Sequence, residues 1–499
     1  MRQLSIKKNI ISNYISQIYL TLAGLISVPI LIKEMGIDAY GLVGFYIALQ
    51  GIFQLLDIGL STTISRQATN YKHKIDQKLF LKIKKYAELF FIGVGLCAIA
   101  LFYYYSNYIA NSWLKESDFS GKTLNDVIKI IGFIIVIRWV SFLYRGIVTG
   151  FEEQVWLSKV NILITTLKYI LIIPLIIYIN NGLILYFQYQ LCISIMEITI
   201  LIFYSNKLVK KYHSNYCNME ASISIKPLLK FAIGIASTST IWILVTQVDK
   251  VYLSKVISLK EYGEYSAIFL LASGVTLINN PISLALIPRL TAIASEKNYE
   301  KLTEEYKKYT RLICLATAPL SFILIIFAKQ IIWTWTGNEE LSNSSFKLLM
   351  IYSAANYLVN VGGMVYCLQY AKGKIKLHVI GNIISTLLYL PLMFMAVNKF
   401  GAIGAASSWL LVNILYLLAW VPLVHIKLDF TSNIKWFIND VCKVSIYCII
   451  PLIFCYIIDI SLEINLDRLG YLIKLSIYMF IAYLAPLIYL TKFKKISLI

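Results

Sequence analysis

Runs of about 20 apolar residues recur along the chain, each bounded by a short polar segment, and a helix of that length crosses the hydrocarbon core of a bilayer. Fourteen such spans are predicted, at 10–32, 40–61, 86–110, 125–150, 160–179, 182–205, 228–254, 263–287, 309–328, 343–371, 377–397, 401–424, 441–458 and 469–490. The expected fold is all-α, a polytopic membrane protein with about 14 transmembrane helices. An even number of spans places both termini on one side. The first run, Asn9 to Ile32, follows Lys7 and Lys8 as a secretion signal would, but it is too long for one and lacks an A-x-A-like cleavage site. It is expected to stay as a span.

Composition agrees. The 499 residues are 59% hydrophobic and 14% charged, where a soluble domain carries roughly 45–50% and about 25%. The net charge of +20 would suggest nucleic acid in a soluble protein. Its distribution points instead to orientation, with no nucleic-acid partner. With the N-terminus inside, inner segments hold thirty Lys and Arg, counting Lys230 and Lys443 at the inner ends of their spans, outer loops eight, and the rest of the spans the remaining eight. The stretch Arg66–Lys85 alone holds seven, and further clusters are Lys207, Lys210, Lys211, Lys226 and Lys230, then Lys492, Lys494 and Lys495 in the tail.

The chain also repeats. KEMGIDAYG at Lys33–Gly41 aligns with KVISLKEYG at Lys255–Gly263, an offset of 222, and the same register sets Asp57 opposite Asn279 and Ser61 opposite Ser283. KKY at 84–86 returns at 307–309. Six spans per copy is an even number, so the copies share one orientation and an axis along the membrane normal. The expected organisation is a six-helix lobe at 1–205, a cytoplasmic linker at 206–227, a second six-helix lobe at 228–430, and helices 13 and 14 at 431–499.

Several spans carry a polar stripe. Gln50, Gln54, Asp57 and Ser61 share one helical face, as do Asn13, Gln17, Gly24 and Ser27. Span seven aligns Ser239, Thr246 and Lys250, with Gln247 at the margin, and span ten aligns Ser353, Asn356, Tyr357 and Asn360. Such faces avoid lipid, and either bind neighbouring helices or line a watery cavity. Charges are more telling, because one near mid-membrane costs roughly 2.5–3.5 kcal/mol on insertion scales. Lys129, Lys347 and Lys474 sit near outer ends and Arg311 and Glu88 near inner ends, where their stems can snorkel. Arg138, Arg145, Lys168 and Lys250 lie deeper and are the candidates for an anionic ligand. The deep acids Asp57, Glu197 and Asp249 are candidates for ion coupling. Asp57 has a structural alternative, as a carboxylate near the inner interface bonded to a neighbouring helix. Asp249 adjoins Lys250, but neighbours on a helix diverge by about 100° and need not pair.

No G-x-x-x-x-G-K-[ST] motif provides for ATP. His73, His213, His378 and His425 are scattered, so no metal site is expected. The eight cysteines have no metal or redox spacing, and Cys97, Cys192, Cys314, Cys367, Cys448 and Cys455 lie in apolar runs. Outer loops of about fourteen residues at most leave little room for a catalytic domain outside. Glu34 and Asp38 in the first of them read as a turn between spans.

The segments NYISQIYLTLAGLISVPILIKEMGIDAYGL (13–42), LLDIGLSTTISR (55–66), QVDKVYLSKVISLKEYGEYS (247–266), WTGNEE (335–340) and GNIISTLLYLPLMFMAVNKFGAIGAASSW (381–409) resemble the polysaccharide transporter family. These are the Wzx-type lipid-linked oligosaccharide flippases of the MOP exporter superfamily, and the resemblance covers nearly the whole chain. It implies two six-helix lobes around a central cavity, alternating access, and a bacterial cytoplasmic (inner) membrane location with both termini cytoplasmic. The implied cargo is an undecaprenyl-pyrophosphate-linked oligosaccharide for O-antigen, lipopolysaccharide or capsule, moved from the inner to the outer leaflet. Arg138, Arg145, Lys168 and Lys250 would hold its head group, and polar stripes with some of the 36 tyrosines would suit its sugars. No cofactor is implied beyond H⁺ or Na⁺ as coupling ion. Partners would be membrane lipids, a polysaccharide polymerase and a chain-length regulator. Two rival readings are a multidrug or toxin exporter of the same superfamily, which would want an acidic cavity, and a polyprenol-dependent glycosyltransferase or polymerase.

Overall fold

The structure, a computed structural model, describes residues 2–57, 59–75, 77–115, 117–178, 182–213, 243–430, 433–462 and 466–494. Ser239, linker residues 214–227 and the start of the predicted seventh span lie outside these residues. The described chain is almost entirely helical and forms two compact units, Met1–Gly263 and Glu264–Ile499.

In the first unit, α1 (Arg2–Met35), α2 (Ile37–Phe53), α3 (Leu60–Lys72), α4 (Gln77–Tyr108), α5 (Gly121–Gly150), α6 (Gln154–Thr165), α7 (Ile172–Tyr178) and α8 (Gly182–Lys211) precede α9 (243–256). α5 is the central post, packed on α3, α4 and α8, while α1 lies on α6. Ser120 starts α5 by accepting from the Thr123 N–H at 3.2 Å. The core around α5 holds Ile64, Phe91, Trp139, Leu143 and Ile147, with Phe91 and Trp139 rings 4.4 Å apart. α3 meets α5 at a G-x-x-x-G step, where a Cβ on Gly150 would collide with the Ser65 carbonyl and the Ala68 methyl. Thr69 Oγ1 donates to the Gly150 carbonyl at 2.8 Å across the same crossing.

The second unit contains most of α10 (Leu259–Leu277), then α11 (Asn279–Ser295), α12 (Tyr299–Ile326), α13 (Ala328–Thr336), α14 (Glu339–Ala371), α15 (Ile375–Leu415), α16 (Val421–Lys427), α17 (Asn433–Trp436), α18 (Lys443–Leu462) and α19 (Arg468–Lys494). α14 packs on α11, α12 and α15, and α18 joins α12 to α19. Its core gathers Leu290, Tyr306, Ile313, Met364 and Trp436.

Eleven helical stretches among the described residues are long and apolar enough to cross a membrane. One of them, Ile375–Lys427, is two spans joined at Gly401, whose φ of 55° and ψ of −133° are non-helical. The predicted pair 377–397 and 401–424 divides at that point. Leu96 and Phe203 are 63% and 73% exposed, as suits side chains that meet lipid. The chain is a multi-pass membrane protein.

The predicted second span, 40–61, is broken rather than continuous. α2 ends at Phe53, a 3₁₀ turn covers Gln54–Asp57, and α3 restarts after Gly59 at φ 70°. Asp57 Oδ1 accepts from the Ser61 N–H at 3.1 Å and the Ser61 hydroxyl at 2.6 Å, satisfying a first-turn donor of α3. The second repeat breaks at the corresponding place, between α10 and α11. Ser283 donates there to Asn279 Oδ1 at 3.0 Å. Gly41 and Gly263, equivalent at the same offset, face each other's copy: a Cβ on Gly41 would strike the Leu259 carbonyl, and one on Gly263 the Ile37 carbonyl.

Gly150→Leu should prevent accumulation of folded protein because the α3 backbone has no room to retreat. Gly93→Leu, at a position where a Cβ meets nothing within 4 Å, should leave yield and melting temperature unchanged. Size-exclusion yield and thermal unfolding in detergent compare the two, and equal behaviour would remove the crossing as a packing constraint.

Candidate functional site

Three helices of the first unit turn charged side chains into one cavity of about 290 Å³. Two of them contribute a short periodic set. α5 supplies Arg138, Ser141 and Arg145, the α6 segment supplies Asn161, Thr165 and Lys168, and Gln50 of α2 and Glu197 of α8 complete the polar lining. Spacings of three, four and seven keep each set on one helical face.

Lys168 reaches the cavity from a turn of π-helix, Thr166–Ile170, between α6 and α7. Pro174 lies four residues beyond Ile170 and has no N–H to return to it, and Leu171 N–H bonds to the Thr166 carbonyl five residues back at 3.0 Å. Side chains of α8 serve carbonyls of this turn and its approach. Tyr189 Oη donates to the Leu167 carbonyl at 2.9 Å and Gln190 Nε2 to the Lys168 carbonyl at 3.2 Å. Tyr19 Oη lies 2.7 Å from Thr166 Oγ1. The irregular backbone is thus buried in protein, as a bilayer requires.

Glu197, 4% exposed, sits between two cations. Its Oε1 is 2.5 Å from Arg145 Nη2 and its Oε2 is 3.1 Å from Lys168 Nζ. Arg145 Nη1 donates to Asn161 Oδ1 at 2.7 Å. Arg138 is held by Ser194 Oγ at 3.1 Å and Gln50 Oε1 at 3.3 Å, with its guanidinium 5.4 Å from the Tyr46 ring centre. Its Nη2 is buried and makes no hydrogen bond. Three cations therefore face one carboxylate, and one guanidinium nitrogen is left to offer.

A family model described as "Polysaccharide biosynthesis protein" matches residues 6–294, more than half of the chain. The chain belongs to the polysaccharide biosynthesis protein family. This member is 21% identical over 420 residues to a Shigella flexneri protein carrying the provisional name O-antigen transporter, across 84% of this chain and 98% of that one. It is 24% identical over 193 residues, 38% of each chain, to the lipopolysaccharide biosynthesis protein WzxC of Escherichia coli (strain K12). The fold resembles that of the lipid II flippase MurJ in an inward closed conformation, with a TM-score of 0.72, 18% identity, and coverage of 96% and 98%. The resemblance to Wzx-type members of the MOP superfamily, drawn from the sequence, agrees with these relatives, and the protein is a transporter rather than an enzyme.

Within this family member, the residues singled out by sequence are used in different ways. Arg138, Arg145, Lys168 and Gln50 line the cavity together with Glu197, which bridges two of the cations. Lys250 is not among the lining residues. Its Nζ bonds to the Thr246 carbonyl and lies 3.3 Å from Asp249 Oδ1, so the adjacent pair meets after all, the long lysine stem bending back along its own helix. Asp57 is engaged in the helix break. Asn13 accepts from Ser158 Oγ at 2.9 Å, and Gln17 and Gln54 are exposed. Asn356 and Asn360 hold α14 to α10, their amides donating to the Ala272 and Val275 carbonyls at 2.9 Å each. Arg311, expected to snorkel, is paired with buried Asp440 at 2.6 Å, and Lys474 pairs with Asp459. Asn161, Ser141, Thr165 and Tyr169 were not singled out as site residues. For Asn161 the signal was its seven-residue spacing from Lys168, and for Ser141 and Thr165 their spacings of three or four from Arg138, Arg145 and Lys168; Tyr169 had none.

Arg145→Ala and Glu197→Ala should be strongly non-additive, because Glu197→Ala strands Arg145 beside Lys168, whereas Arg145→Ala leaves Glu197 paired with Lys168 alone. A double-mutant cycle read by thermal unfolding in detergent should give a coupling of about 1–3 kcal/mol. Additive effects would mean that the 2.5 Å contact contributes nothing to folding.

Proposed function

We propose that this protein is a flippase for polyprenyl-diphosphate-linked oligosaccharide repeat units, undecaprenyl pyrophosphate being the carrier that the family resemblance implies. The cargo would pass from the inner to the outer leaflet of the bacterial cytoplasmic membrane by alternating access, with both termini cytoplasmic. The observation that carries the proposal is the cation-rich cavity, where Arg138, Arg145 and Lys168 outnumber Glu197 and Arg138 Nη2 has no partner. A diphosphate offers several acceptor oxygens for charge-assisted, bidentate hydrogen bonds, which repay the burial of guanidinium groups. The names of the relatives, O-antigen transporter and lipopolysaccharide biosynthesis protein, support a surface-glycan precursor as the class of cargo. A cationic drug would meet repulsion in the same cavity. A polysaccharide polymerase and a chain-length regulator are the proposed partners that receive the product.

An inside-negative potential supplies about 2.3 kcal/mol per elementary charge per 100 mV, so outward movement of an anionic head group is downhill. For ion coupling by H⁺ or Na⁺ we favour Asp249, because neutralising it would release Lys250 Nζ from the contact at 3.3 Å. Asp57 is separable by mutation. Asn retains the oxygen that accepts from Ser61, as Asn279 accepts from the Ser283 hydroxyl in the second repeat, while Ala removes it.

Transport of a labelled polyprenyl-diphosphate sugar into the outer leaflet of proteoliposomes provides the test. Arg138→Ala and Arg145→Ala should each lower the rate at least a hundredfold with protein levels maintained; full activity would exclude both from the site. Asp249→Asn should abolish the response to an imposed ion gradient. Asp57→Asn should transport normally and Asp57→Ala should lose melting temperature, whereas a transport loss in Asp57→Asn would assign the coupling charge to Asp57 instead.

A further inference from the structure

Glu197 is buried without being idle. Each of its oxygens faces a different cation, so the carboxylate occupies the position at which an anionic ligand would meet Arg145 and Lys168 together. Its backbone belongs to α8, the helix that also supports the π-turn carrying Lys168 through Tyr189 and Gln190. Arg145 is held from its other side by Asn161, which carries no charge and can keep the guanidinium in place if Glu197 leaves. Arg138 stands outside the carboxylate bridge, its Nη2 buried and without a hydrogen bond.

From this arrangement we infer that Glu197 is a built-in counter-anion that competes with the cargo for Arg145 and Lys168. The inference rests on the reading of the cavity as a diphosphate site. A ligand phosphate docks first beside Arg138, the cation outside the bridge, and the head group then displaces Glu197 from its two cations. When the cargo reaches the other face, Glu197 returns to the pair and expels it. Three cations with no carboxylate among them in a low-dielectric cavity would bind a diphosphate too tightly to release it. A tethered carboxylate reduces affinity and so keeps turnover fast. It acts as an exchange partner, and no bond is made or broken.

Binding of a polyprenyl diphosphate to protein in nanodiscs, together with the proteoliposome rate, tests this. Glu197→Gln should bind at least tenfold more tightly than wild type and transport at least tenfold more slowly. A merely structural role predicts weaker binding instead. Should Glu197→Gln fail to accumulate, Glu197→Gln/Asn161→Asp keeps one carboxylate on Arg145 and carries the same test, binding at least tenfold more tightly than Asn161→Asp alone. If removal of Glu197 leaves affinity unchanged or lowers it while Arg138→Ala weakens binding, the counter-anion role is overturned and the diphosphate site stands. If wild type binds no diphosphate, or binds it with no dependence on Arg138, the site reading falls and the inference with it.

Discussion

A cation inside a bilayer must have a counter-charge or a ligand, and most of the first unit's polar architecture follows from how it meets that demand. Arg145 and Lys168 come from different helices and share one carboxylate. Bringing them to Glu197 requires α5, the α6–α7 segment and α8 to converge at one depth. The straight course of α6 is interrupted by a π-turn that changes the direction in which Lys168 and Tyr169 point. Neutral groups fill the remaining valences, Asn161 on Arg145 and Ser194 and Gln50 on Arg138. Without Glu197 the convergence would place like charges together in a low dielectric, which no packing of apolar neighbours offsets.

The repeat meets a second demand, a helix break within the membrane, with paired devices. Asp57 and Ser61 in one copy and Asn279 and Ser283 in the other make the same side-chain bond at the same offset. A carboxylate and an amide serve alike because the serine hydroxyl needs an oxygen acceptor and not a charge. In the second copy Asn360 adds a donor to the Val275 carbonyl just before the break, where the helix is about to stop supplying one. Polar residues aligned on a membrane helix thus fall into two physical classes: those that serve broken backbone and those that face a cavity. A stripe alone does not separate them.

This explains what the sequence made legible. Apolar run lengths located the spans, and the Gly401 boundary emerged between two of them, because lipid imposes a length and a composition that no neighbour can override. The deep cations were visible as exceptions to the same rule. Their grouping was legible only in part, since Arg138 and Arg145 share α5 but Lys168 comes from a different element, and Lys250 carried an equal sequence signal yet bonds within its own helix. The role of Glu197 was hidden for a related reason: a deep acid looks the same whether it binds an ion or neutralises a pair of cations. Arg311 shows the converse, because its partner Asp440 lies 129 residues away and only the packing of the second unit brings them within 2.6 Å. The three seven-residue spacings on α5, the α6 segment and α8 were readable in principle, but a neutral Asn or Gln two turns from a charge also reads as helix adhesion.

The excess of positive charge in the cavity has a consequence for the direction of the transport cycle under the proposed function. Three cations against one carboxylate leave two charges uncompensated among the lining side chains when no cargo is bound. A diphosphate linked at both ends carries about that amount of opposite charge, so the loaded site is close to neutral and its movement does little work against the field. The empty site is not neutral, and an inside-negative potential draws it toward the cytoplasmic face at about 2.3 kcal/mol per charge for each full crossing of 100 mV. The step that costs energy would then be the return of the empty carrier, and the potential favours it in the required sense. Reversing the balance, with more acids than bases in the cavity, would make the same potential oppose the reset.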